Sequence, residues 1–130
     1  MPFLRKSAYL TLEHRVASRL ACFVRSHEPF GNVENARQEV SEWLPALEGL
    51  ELRELSVLLD WRLAPLETNA ELLREGVSRT DAIARQFVRQ ALLMDSSLGV
   101  LQARRLSRAH ESRAMVFSNE AEAYDYVTSR

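Results

Sequence analysis

The sequence predicts an α/β fold: a single domain with a mixed, mostly parallel sheet. Three observations carry this. Residues 8–15 alternate in polarity, residues 19–25 are more uniformly apolar, and only Val16-Ala17-Ser18 lies between them, which predicts an antiparallel hairpin. Residues 56–59 form a short apolar, partly β-branched run, closed by Asp60 and followed by the turn signal Ala64-Pro65. Such a run reads as a strand buried on both faces, at the centre of a sheet. Beyond it, strand-like runs alternate with helix-like stretches, which implies parallel pairing through crossover helices. The expected order is ββαβαβαβα, with about five strands and about four helices over residues 1–130.

Each element has its own justification. Ala8, Leu10, Leu12 and His14 fall on one side of the first strand, and Tyr9, Thr11, Glu13 and Arg15 on the other. The second strand, through Leu20-Ala21-Cys22-Phe23-Val24, is the more buried of the two. Its turn carries no Asn-Gly signal, so the register stays open. His27-Glu28-Pro29-Phe30-Gly31-Asn32 is a loop that ends on an N-cap residue. Val33, Ala36, Val40, Trp43, Leu44 and Leu47 recur at three- and four-residue steps and predict an amphipathic helix. Pro45 would kink or restart it, and Gly49 sits where a C-terminal cap belongs.

After the central strand, Thr68 or Asn69 caps a helix carrying Ala70, Leu73, Val77, Ala84 and Phe87. The spacing slips across residues 76–81, so one bent helix and two shorter ones both fit. Ala91-Leu92-Leu93-Met94 is a fourth strand, and Asp95-Ser96-Ser97 caps a helix over residues 98–110. On that helix Leu98, Leu101 and Arg105 share one side, and Val100, Arg104 and Ser107 another. A fifth strand over residues 113–117 precedes a last helix capped within Ser118-Asn119-Glu120.

Composition narrows the function classes. The chain has 130 residues, 46% apolar and 27% charged, with a net charge of −1, so nothing draws it as a whole toward nucleic acid or anionic lipid. Charge is uneven, however. Residues 30–60 hold seven acids and two arginines, and residues 74–113 hold eight arginines and four acids. That asymmetry either solvates two helical faces or orients a partner. The lone Cys22 forbids an intrachain disulfide and fits a reducing cytoplasm. The opening residues lack the apolar core of a secretory signal, and no run is long enough to span a membrane. His14, His27 and His110 share no ligand spacing with Cys22, so neither a metal nor another cofactor is expected. There is no glycine-rich phosphate loop and no nucleophile elbow. The arginine cluster Arg104, Arg105 and Arg108 lacks interleaved aromatics for binding nucleic acid.

Three segments resemble the STAS domain of bacterial anti-sigma-factor antagonists. They are the strand ending in Leu58-Leu59-Asp60, the helix start Leu98-Gly99-Val100-Leu101-Gln102, and the final strand and helix start from Ala114-Met115-Val116-Phe117 to Glu120-Ala121-Glu122-Ala123. The chain is also similar to small STAS-like bacterial proteins with Asp-x-Arg at the end of the central strand, here Asp60 and Arg62. The resemblance implies a non-enzymatic regulatory or signalling module of the bacterial cytoplasm that binds a protein partner, with a homodimer as a candidate assembly. Family antagonists are switched by phosphorylation of a serine in an Asp-Ser pair. This chain has Glu67-Thr68-Asn69 there, which leaves Thr68 as the candidate phosphoacceptor.

Trp61 and Arg62 are residue types that dominate protein interfaces. With Glu67, Thr68 and Asn69 they form the expected partner-binding surface, and no catalytic residue is expected. Trp61 would otherwise serve as a lid on the sheet end, and Asp60 and Arg62 either pair with each other or bind an anion. Trp43 belongs to the core. The alternative function is a small-molecule or lipid-binding domain with a pocket at the carboxyl end of the sheet. A cavity lined by few polar groups would favour a ligand, and a flat exposed apolar patch a partner protein.

Overall fold

A computed structural model of the chain describes residues 3–109 and 114–129. Its elements are β1 (Phe3–Lys6), β2 (Leu10–Arg15), β3 (Leu20–Arg25), α1 (Val33–Ser41), α2 (Trp43–Ala46), a 3-10 turn (Leu52–Glu54), β4 (Ser56–Asp60), α3 (Ala70–Ala84), β5 (Gln90–Leu93), α4 (Ser97–Ala109), β6 (Met115–Phe117) and α5 (Glu120–Thr128). The strands form one sheet in sequential order from β1 to β6. β1, β2 and β3 pair antiparallel, and β3 through β6 pair parallel.

β4 lies at the centre, between β3 and β5, as its apolar run predicts. Val57, Leu58 and Leu59 are 0%, 5% and 4% exposed. Burying them contributes roughly 1.5–3 kcal/mol per side chain. Val57 and Leu59 join Phe23, Trp43, Ile83 and Phe87 on one face. Leu58 joins Cys22, Ala91, Leu93, Ala123 and Val127 on the other. The helices α1, α2 and α3 thus cover the first face, and α5 covers the second.

Two sequence expectations need correction. The sheet has six strands among the described residues, because Phe3–Lys6 adds an edge strand with a register break between Phe3 and Arg5. Four residues with two cations and no alternation leave no strand signal, and edge strands are commonly short and charged. The first helix breaks at Glu42 into α1 and α2, so it restarts at Trp43 rather than at Pro45. Pro45 then sits in the first turn of the short helix, where its missing N–H costs little.

The remaining boundaries follow local chemistry. Asn32, Asn69 and Asn119 each accept the backbone N–H three residues on, from Asn35, Leu72 and Glu122. Ser96 does the same for Gly99 at 3.0 Å. α3 is a single helix through the region of slipped spacing. The hairpin register places Arg15 opposite Leu20. Its turn closes through Arg19 N–H to Val16 O at 3.1 Å, with Arg19 at φ +52°. The expected strand start at Arg113 and helix end at His110 lie outside the described residues.

Candidate ligand cavity and the loop beside it

The strand registers decide which side chains meet at the carboxyl end of the sheet. Val24, Asp60 and Leu93 stand side by side on β3, β4 and β5. One residue further along each chain come Arg25, Trp61 and Met94. Period two turns these three toward the face of α1 to α3. All three line a half-enclosed cavity of about 170 Å³. Leu59 and Leu92 form its floor, and α3 and α4 form its flanks, through Leu72 and Gly76 on one side and Gly99 and Ala103 on the other.

The cavity exists because α3 packs along α1 and leaves its opposite flank facing α4 across a gap. Sequential strand order provides no switch-point crevice among the parallel strands. Helix separation makes the opening instead. α4 turns Gly99, Ala103 and Leu106 inward, and Leu98 and Leu101 are exposed. A Cβ at Gly99 would stand 2.8 Å from Ser96 Oγ and 3.0 Å from Met94 Cε, so it would displace the ends of those two side chains.

Both tryptophans of the chain line the cavity. Trp61 meets Trp43 edge-on, with ring centroids 6.4 Å apart at 90°. Trp43 in turn meets Phe23 at 5.6 Å and 74°. Trp61 thus forms a wall of the cavity and also continues the aromatic core. Trp43 is 1% exposed, the core position its spacing predicts.

Glu39 holds this wall. It is 5% exposed and accepts from Trp43 Nε1 at 2.8 Å, Arg5 Nη2 at 2.9 Å and Ser7 Oγ at 2.9 Å. Burial pushes its carboxyl up, but the hydrogen bonds from Arg5, Trp43 and Ser7 together outweigh burial and hold it below the ordinary carboxylate value. Sequence reasoning missed this residue. The signal was a charge four residues before Trp43, on the apolar stripe that Ala36 and Val40 also occupy.

Arg25 was also missed, because it sits at the end of an apolar strand where a solvent-facing end is the usual reading. It is 6% exposed. Its Nε donates to Tyr9 O at 3.0 Å and its Nη2 to Glu28 O at 3.0 Å, and its guanidinium lies 4.1 Å from the centroid of Phe30. Burial pushes its pKa down to about 10, so it remains a cation at neutral pH. Nη1 has no hydrogen-bond partner among the described residues.

The expected partner-binding residues divide between the two faces. Trp61 and Glu67 line the cavity. Arg62 points the other way, as period two requires. Its Nε and Nη2 form a fork on Asp60 at 2.9 and 2.7 Å, and Nη1 reaches Glu120 on α5 at 3.2 Å. The hydrogen bonds to Asp60 raise its pKa above the ordinary arginine value. Of the two sequence alternatives for Asp60 and Arg62, the ion pair is the one formed. Asn69 is the α3 cap, Glu67 accepts its N–H at 2.9 Å, and Thr68 is exposed just before it.

The other chemical candidates are dispersed. Cys22 is buried, and burial raises its thiol to about 11. Among the described residues no three His, Cys, Asp or Glu side chains are grouped to hold a metal ion, and no helix is long and apolar enough to cross a membrane. Arg104, Arg105 and Arg108 are exposed on α4. Glu75 on α3 accepts from Arg37 on α1 at 2.8 Å and from Arg79 at 2.6 Å, so the pair between the helices joins the minority charges of the two stretches and leaves the asymmetry in place. Those two bonds draw its carboxyl down to about 2.

No protein-family model matches the chain, and no curated protein and no solved structure matches it either.

Proposed function

We propose that this chain is a non-enzymatic, STAS-like module that binds a small apolar molecule in the cavity between α3 and α4. The observation that carries the reading is the cavity itself: about 170 Å³, at the carboxyl ends of β4 and β5, with an apolar floor and both tryptophans in its wall. An apolar cavity of roughly 150 Å³ accepts benzene. This one suits a molecule of one ring or a short branched chain, and a long lipid acyl chain exceeds it.

The tryptophans supply the test. Toluene, indole and benzoate are titrated while intrinsic fluorescence and melting temperature are followed. At least one should give a saturable fluorescence change and raise the melting temperature. Gly76→Leu should abolish both responses in a folded protein, because a Cβ at Gly76 meets no heavy atom within 4 Å and the larger side chain would occupy the cavity. No saturable response to any probe, or an unchanged response in Gly76→Leu, would overturn the reading.

A second reading is the regulatory contact with a protein partner in the bacterial cytoplasm that the STAS resemblance implies. It rests on Leu63 and Leu66 in the loop after β4 and on Leu98 and Leu101 of α4, all exposed. Thr68 is the phosphoacceptor in this reading. Proteins cross-linked to the parent chain in the source cells should be lost with Leu63→Ser combined with Leu98→Ser. Identical cross-linked sets would remove this surface from consideration.

A further inference from the structure

We propose that the cavity is selective for a small aromatic monocarboxylate and that Arg25 Nη1 anchors its carboxylate. This rests on the ligand-binding reading above and adds the charge of the ligand to it.

A buried arginine is ordinarily paired with a carboxylate. Arg25 is 6% exposed, yet its two hydrogen bonds go to backbone carbonyls. The nearest acid by charge interaction is Glu39, whose oxygens are already taken by Arg5, Ser7 and Trp43. Nη1 has two N–H donors, no protein partner among the described residues, and an opening to solvent. Arg25 is also the only arginine in the cavity lining among the described residues.

The acids that share the cavity do not compensate it. Asp81 Oδ2 accepts from Arg85 Nε at 2.6 Å while its Oδ1 is buried with no hydrogen-bond partner among the described residues, and Glu67 accepts from the Asn69 N–H on the loop. The position is therefore a fixed cation at one end of an apolar space. It is held by backbone carbonyls and by the Phe30 face, so it needs no reorganisation to meet an anion. A carboxylate would bind end-on through Nη1, with its ring between Trp61 and the α3–α4 flanks. The volume admits one ring and a short linker.

The test compares acids with neutral isosteres. Benzoate and phenylacetate are titrated against benzamide, phenylacetamide and toluene, with tryptophan fluorescence as the readout. Each acid should bind at least tenfold tighter than its amide. Arg25→Gln should reduce acid affinity to the level of the amide and leave amide binding unchanged. Where Arg25→Gln does not fold, the guanidinium resonances of Arg25 in ¹⁵N-labelled parent protein decide. They should shift with phenylacetate and stay in place with phenylacetamide. If amides and toluene bind as tightly as the acids, the cavity stands and the carboxylate anchor falls. If no probe binds, both fall together.

Discussion

Trp43 and Trp61 meet edge-on at 6.4 Å, which couples the cavity wall to the centre of the core. Trp43 is pinned from behind by Glu39, and Glu39 by Arg5 on the edge strand. A residue that lines the cavity is thus oriented by a chain of contacts that ends at β1. Aromatic pairs of this geometry are worth about 0.5–1.5 kcal/mol beyond their burial.

Glu39→Gln should destabilise the fold by about 2–4 kcal/mol, because it leaves Arg5 and the Trp43 N–H facing an amide that cannot satisfy all three donors. The same group predicts an acid limb. Its folded pKa lies below the unfolded value, so its contribution is complete above the unfolded carboxylate pKa of about 4.3 and is lost as pH falls through the lower folded value. Chemical denaturation at pH 7 and at pH 3 should show a smaller difference in Glu39→Gln than in the parent. Equal differences would assign the limb to other carboxylates, Glu75 first among them.

Arg62→Ala should cost stability, contrary to what an interface arginine would show. It leaves Asp60, 9% exposed, without its forked partner. The expected loss is about 1–2 kcal/mol, reduced from the buried-pair range because Arg62 itself is partly solvated. Trp61 lies on the opposite face, so ligand affinity in the cavity should change little. A melting temperature equal to that of the parent would mean that Asp60 finds another donor.

Arg19→Gly should stabilise the hairpin. At φ +52° an L side chain crowds its own backbone, and glycine does not. The gain should be about 0.5–1 kcal/mol in the denaturation midpoint, after the greater freedom of glycine in the unfolded chain is subtracted. A loss of stability would show that the Arg19 side chain makes contacts worth more than the strain.

Much of the fold was legible because its causes are local. The alternation of residues 8–15, the apolar run before Asp60 and the asparagine caps each act within a few residues, and they place β2 through β5, α1 and α3. β1 was not legible, because Phe3–Lys6 becomes a strand only by pairing with β2. The inward face of α4 was not legible either, since Leu98 and Leu101 look like the buried stripe, yet the helix turns Gly99, Ala103 and Leu106 to the cavity.

By itself, the sequence determined the element types, the central position of β4 and the loop that borders the site. Only the tertiary structure decided what meets there. A step of one residue along adjacent strands sends Arg25, Trp61 and Met94 to the cavity face and Asp60 and Arg62 to the face of α5. Arg25 is buried because Tyr9, Glu28 and Phe30 close around it. Glu39 is buried because Arg5 arrives from 34 residues away. Propensity and periodicity act over a single turn or strand, whereas the convergence of charges depends on strand register and helix spacing, which emerge only when the whole sheet has formed.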